Sequence, residues 1–242
     1  MNGNFPAYAR LLTPALYAEP PVRAGTAWAR KWRFLTAIGC GLILLFACAG
    51  GGCFLNLPNF DFAPLEFPFD DSGNVAMLAA FGIPNWSGTE PHNGVDLVVD
   101  ERLASARIVS PTAGVVTEIS TRENRFSVPP GQLLITIGIR INTDWTVNLV
   151  LEPSTVDPAL RTAQESAILV NENQELAVGT PVADLLVGTL GYPHLHYMVL
   201  RSGQAVCAHE HSSDAARAVF ESLTGSPGSS LPDGNICFGF PE

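Results

Sequence analysis

From about residue 76 onward the apolar residues fall into short runs rich in Val, Ile, Leu and Thr, and most gaps between them hold Gly, Pro, Asn or Asp. The runs cover residues 95–99, 115–119, 133–141, 146–151, 182–187 and 195–200. Runs of this length, punctuated in this way, predict strands. Leu133-Leu134-Ile135-Thr136-Ile137-Gly138-Ile139 is nearly all apolar, which predicts a strand covered on both faces. Two stretches read as helix: Pro158 to Ser166, in an insertion, and a C-terminal segment from Ser213-Asp214-Ala215 to Leu223 with Ser212 or Ser213 as N-cap. Many short strands with one late helix predict an all-β fold, an antiparallel β-sandwich or barrel-like core with a short C-terminal helix.

The 242 residues suffice for one domain plus an appended segment, and charge separates the two. Residues 1–33 hold Arg10, Arg23, Arg30, Lys31 and Arg33 against the single acid Glu19. The remaining 209 residues hold 8 basic and 22 acidic side chains, a net of −14. No basic footprint exists for nucleic acid, so that partner is set aside. An acidic body suits a soluble, self-repelling surface, and a monomer is expected.

No charged residue occurs between Phe34 and Phe60. Basic residues Arg30-Lys31-Trp32-Arg33, then an apolar run to Ala49, then small residues follow the order of a secretory signal. Leu45-Phe46-Ala47-Cys48 also resembles a bacterial lipoprotein cleavage box, with Cys53 as the other candidate for acylation. An uncleaved membrane anchor, at the short end of a spanning helix, and simple secretion after cleavage are the alternatives. Residues 1–53 are therefore expected to be a signal, lipoprotein or membrane-anchor segment. That expectation places the protein outside the cytoplasm, membrane-anchored at the bacterial cell envelope through an N-terminal lipid or helix.

Residues 54–75 alternate Phe54, Phe60, Phe62, Phe67 and Phe69 with polar residues, and Pro58, Pro64 and Pro68 forbid a helix. They predict an extended tether that lays aromatic side chains onto the domain at 76–242. Three of the five cysteines, Cys40, Cys48 and Cys53, belong to the N-terminal segment. In an exported protein the remaining pair, Cys207 and Cys237, predicts a disulfide. Its loop would contribute on the order of 3 kcal/mol in the chain-entropy view.

Two short motifs carry the chemistry. Pro91-His92-Asn93-Gly94-Val95-Asp96 and Pro193-His194-Leu195-His196 hold three of the five histidines and one aspartate. Imidazole and carboxylate are zinc ligands, and three such ligands with one open position describe a catalytic site. On a regular strand, residues four apart lie about 13 Å apart, too far for His92 and Asp96 to share an ion. Asn93-Gly94 resolves this, because both residues tolerate left-handed backbone and make a tight bend. His194 and His196 share a strand face roughly 6–7 Å apart, so one can ligate while the other reaches substrate or water. His209-Glu210-His211 reads as a solvated loop ahead of the helix, and Tyr197 as a core-facing strand residue.

His-x-x-x-Asp followed by His-x-His resembles the lysostaphin-type zinc endopeptidases, which cleave peptides in bacterial cell walls. Phe81-Gly82, His92-Asn93-Gly94-Val95-Asp96, Pro111-Thr112-Ala113-Gly114-Val115-Val116, Val178-Gly179-Thr180-Pro181-Val182 and His194-Leu195-His196-Tyr197 occur in that family's order. The resemblance spans about residues 76–210. It implies a duplicated hybrid motif fold, zinc held by His92, Asp96 and His196, and His194 as a catalytic histidine. It implies a metalloendopeptidase whose partners are peptidoglycan or other envelope peptides.

The chain departs from the family at one point. The family carries a second catalytic histidine in a middle strand, and no histidine lies between Asp96 and His194 here. In Thr146-Val147-Asn148-Leu149-Val150-Leu151-Glu152, Val150 occupies that position, and Glu152 on the same face is the candidate substitute base. The departure keeps a second expectation open: a non-catalytic member that binds or regulates at the envelope. A third, a sugar-phosphotransferase phosphocarrier with a phosphorylated histidine, is cytoplasmic and conflicts with the export signal.

Overall fold

The computed structural model describes residues 62–83, 91–125, 127, 129–229, 231 and 234–238. The segment expected to direct export, with Cys40, Cys48 and Cys53, and the first part of the tether lie outside the described residues.

The described residues form ten strands and two α-helices: β1 (Val75–Ala79), β2 (Val95–Val99), β3 (Ser105–Val109), β4 (Gly114–Asn124), β5 (Gln132–Arg140), β6 (Trp145–Glu152), α1 (Pro158–Ser166), β7 (Glu175–Leu176), β8 (Pro181–Leu186), β9 (His194–Arg201), β10 (Gln204–Val206) and α2 (Asp214–Leu223). The architecture is all-β. The larger sheet runs β1-β2-β9-β6-β5-β4-β7, with β10 folded back onto β9, and β3 pairs with β8 in a second sheet. Every strand pairing is antiparallel.

Register decides which residues share a face, because directly paired residues project to the same side. Leu97 pairs with Leu195, Leu195 with Leu151, and Leu151 with Ile135. This row and the next, through Tyr197, Leu149 and Ile137, are wholly buried. Ala106, Ile108, Val182, Ala183 and Leu185 of the two-stranded sheet join the same core. The other face carries Asp96, His196, Val150 and Thr136 in one row, and Val98, His194 and Glu152 in the next. A one-residue slip would exchange the leucines for the histidines, so the apolar face fixes the register of the polar one.

β5 is buried from Leu133 to Ile139, as its unbroken apolar run predicts. Strands β1, β3, β7 and β10 lie outside the six predicted runs. β4 continues to Asn124 through Ser120, Thr121, Arg122 and Glu123, where the ladder to β5 outweighs polar composition. Helix α1 spans the predicted residues, with Asp157 as N-cap and Pro158 in the first turn. In α2 the Ser213 side chain accepts the Ala216 N–H, and Ala216, Phe220 and Leu223 form the buried stripe.

Phe67 packs against Phe69 and Phe220, Phe62 packs against Trp145, and Leu65 is fully buried. Cys207 and Cys237 form a disulfide with a Cα–Cα distance of 5.7 Å. His209-Glu210-His211 differs from the solvated loop predicted for it. Ala208–His211 is a 3-10 turn, and the His211 ring sits 4.8 Å from that of Trp145. The aromatic neighbours, invisible in the local polar composition, draw the ring down onto the domain.

Candidate metal centre

The bend ahead of β2 and the start of β9 bring His92, Asp96 and His196 together, all three buried. Asp96 pairs directly with His196 across β2 and β9. His92 Nε2 lies 3.2 Å from Asp96 Oδ1 and 3.2 Å from His196 Nδ1, and His196 Nδ1 lies 2.7 Å from Asp96 Oδ1. Ligand atoms on a tetrahedral zinc stand about 3.3 Å apart at ordinary bond lengths. The triangle has nearly that size.

The bend forms for a reason other than the predicted one. Neither Asn93 nor Gly94 has a positive φ. Gly94 is required by space: a Cβ there would stand 2.7 Å from His196 Cε1, 2.8 Å from its Nε2 and 2.9 Å from the Tyr197 carbonyl oxygen. Loss of the side chain lets the bend close onto the imidazole.

Hydrogen bonds at the far side of each ring settle which nitrogen faces the centre. His92 Nδ1–H donates to the Ala80 carbonyl at 2.7 Å, leaving Nε2 with its lone pair toward Asp96. His196 Nε2–H donates to Asn93 Oδ1 at 3.2 Å, leaving Nδ1 to face inward. With those inward nitrogens unprotonated, two imidazole lone pairs and a carboxylate oxygen meet in one buried spot. Three acceptors in contact need a cation between them, either protons or a metal ion. This donor set fits a divalent ion of the zinc type. The sequence marks Asn93 and Gly94 only as a bend; their contacts to His196 and the Ala80 carbonyl bond to His92 emerge from the structure. The one sequence signal for Asn93 as a site residue is its place beside His92.

Burial works against charge on Asp96, but His92 and His194 and the hydrogen bonds from His196 and His92 outweigh it and hold the carboxyl well below the usual range. Burial likewise disfavours protonated His92, and Asp96 more than restores it, so its pKa is raised.

His194 stands beside the triad. Its Nε2 is 3.8 Å from Asp96 Oδ1 and 3.5 Å from Glu152 Oε1. Its Nδ1–H donates to the Tyr192 carbonyl at 2.9 Å, so Nε2 must also carry a proton to meet the two carboxylates. Burial opposes that charge, yet Glu152 and Asp96 push the pKa up to about 10. Glu152 is buried at the end of β6 and pairs with His194 in register. Val150, fully buried, pairs with His196 at the position where the resemblance implies a second histidine. Two residues with positive φ flank this end of the β6–β9 pair, Ser154 and Tyr192. Such backbone costs on the order of 1–3 kcal/mol and concentrates at functional sites. Tyr197 faces away from the site into the core, stacked parallel to Phe220. A cavity of about 410 Å³ is walled by Met77, Val98, Tyr192, Pro193 and Pro227 together with the charged Asp100, Glu101 and Arg102, and none of His92, Asp96, Glu152, His194 and His196 lines it.

No family model and no curated protein matches the chain. Among solved structures it is similar to a zinc-containing peptidase from Vibrio cholerae, with 21% identity over 63% of this chain and 41% of that one at a TM-score of 0.43. It is similar to Csd3 of Helicobacter pylori, with 18% identity over 67% of this chain and 40% of that one at a TM-score of 0.42. A Pseudomonas aeruginosa protein described as a peptidase of the M23 type matches at 19% identity over 66% of this chain and 53% of that one, with a TM-score of 0.38. The chain spans about half or less of the length of each of these proteins.

Proposed function

We propose that this chain is a zinc-dependent endopeptidase of the bacterial cell envelope, exported and held at the membrane by its N-terminal segment, that acts as a monomer on the peptides of peptidoglycan. One observation carries the reading: two inward imidazole nitrogens and the Asp96 carboxylate converge, buried, with spacings of 2.7–3.2 Å. His92, Asp96 and His196 would hold the zinc, which when bound would supply Lewis acidity toward a scissile amide and lower the pKa of a water. His194 holds a proton at Nε2 on the flank of the triad, placed to donate to a carbonyl oxygen as negative charge develops there. Glu152 orients that imidazole and is the carboxylate at hand to accept a proton.

A second reading has its own support. Val150 stands where the resemblance places a second histidine, and it has no proton to move. On that reading the protein is a metal-holding, non-catalytic member that binds envelope peptides or regulates a wall hydrolase.

The deciding experiment measures bound zinc and turnover of peptidoglycan peptides by the full chain, with and without a chelator. Chelator-sensitive turnover with one equivalent of zinc supports the enzyme. One equivalent of zinc without turnover supports the binder.

A further inference from the structure

The carbonyl that orients His92 belongs to Ala80, one residue past the end of β1. That position is held from two sides. Gly82 N–H donates to the His92 carbonyl at 2.7 Å and His92 N–H to the Ile83 carbonyl at 2.8 Å, closing the neck of the connection between β1 and β2. On the other side a C-terminal strap lies parallel to Phe81. Phe81 N–H donates to the Ile236 carbonyl at 3.0 Å, and Phe238 N–H donates to the Phe81 carbonyl at 2.8 Å.

The strap belongs to no named strand or helix. Ile236 is buried, and Cys237 is bonded to Cys207. Cys207 follows β10, whose hairpin returns from β9, the strand that carries His194 and His196. A covalent link therefore joins the segment that orients His92 to the hairpin that carries the other histidine ligand. The path runs from Cys207 to Cys237, to Phe81, to the Ala80 carbonyl and to His92 Nδ1.

We propose that the Cys207–Cys237 disulfide and the Ile236–Phe238 strap are positioning elements of the metal centre, setting metal affinity through the Ala80 carbonyl. The inference rests on the metal reading above. With the strap released, the Ala80–Phe81 segment is held by the Gly82 and Ile83 bonds to His92, and the Ala80 carbonyl is less firmly fixed. The bond that keeps His92 Nδ1 protonated and Nε2 available is weakened with it. Partners of this kind are typically worth about 10- to 100-fold in metal affinity. Two-electron reduction of the pair by a thiol, yielding two cysteine thiols and a disulfide of the reductant, would have the same effect as removing it.

The test is zinc affinity of the full chain in detergent, by competition with a chromogenic chelator, for wild type, the Cys207→Ser/Cys237→Ser double variant and Ile236→Ala. Ile236→Ala keeps the disulfide and loosens the strap, so it remains informative should the double variant fold poorly. Ile139→Ala, a core change on the opposite face of β5, controls for lost stability. The expected result is zinc affinity about 10- to 100-fold weaker in the double variant, and a smaller loss in the same direction for Ile236→Ala. Ile139→Ala should retain wild-type affinity. Nitrogen NMR of the metal-free protein should show the His92 Nδ1–H tautomer weakened in both strap variants. Wild-type affinity and an unchanged tautomer in both would overturn the inference while leaving the metal site standing. Absence of zinc from the wild type would overturn the metal reading itself.

Discussion

Glu152 and His194 face each other across the β6–β9 pairing, with Oε1 3.5 Å from Nε2. This carboxylate is the one proton-accepting side chain that β6 offers next to His194, since Val150 fills the neighbouring position. Glu152→Gln should keep zinc at full occupancy and lower turnover of peptidoglycan peptides by about 100-fold. The limb of the pH–rate profile that depends on His194 should move with it. Unchanged turnover and an unchanged profile would remove Glu152 from the chemistry.

The same pair makes the stability of the metal-free protein depend on pH. The His194 pKa rises from its ordinary 6.5 to about 10 in the folded state. Its contribution is therefore fully present below about 6.5 and is lost as pH climbs through about 10. In urea melts of the metal-free protein, the gap between wild type and His194→Asn should be widest at pH 6 and shrink toward pH 10. A gap that widens with pH would contradict the assignment of an imidazolium at this position.

Gly94→Ala isolates the steric role of the bend. The added methyl would sit 2.7–2.9 Å from the His196 ring and the Tyr197 carbonyl. One of these must move, at a cost of about 1–3 kcal/mol in stability. The imidazole is the softer of the two, so zinc affinity should fall along with stability. Wild-type affinity in G94A would mean that the bend does not set the His196 position.

Tyr197 gives the opposite kind of test. Its hydroxyl is buried without a hydrogen-bond partner among the described residues, and it points away from the metal centre. Tyr197→Phe should leave zinc binding unchanged and be neutral or stabilising by about 1 kcal/mol in a urea melt. A large loss of zinc affinity or of turnover in Y197F would assign the hydroxyl to the site.

How far these features could be read in the chain depended on how local they are. His92 and Asp96 were legible because Asn93-Gly94 stands between them, and His194-Leu195-His196 because alternation on a strand is a two-residue pattern. The six apolar runs correspond to β2, β4, β5, β6, β8 and β9. β7 and β10 are too short to show a period, although Leu176, Ala205 and Val206 pack on the core, and β3 alternates Arg107 with apolar residues because Asp184 on β8 pairs with that guanidinium. The role of Gly94 depends on an imidazole 102 residues further on, so nothing near Gly94 announces it. Backbone carbonyls such as those of Ala80 and Tyr192 have no signature in residue type at all.

The central claim is that His92, Asp96 and His196 hold one divalent ion. Its most direct test is zinc stoichiometry by metal analysis after exhaustive dialysis, for the wild type, Asp96→Asn, His196→Ala and His194→Ala. One equivalent is expected in the wild type and in His194→Ala, and none in Asp96→Asn or His196→Ala. Full occupancy in both ligand variants, or none in the wild type, would contradict it.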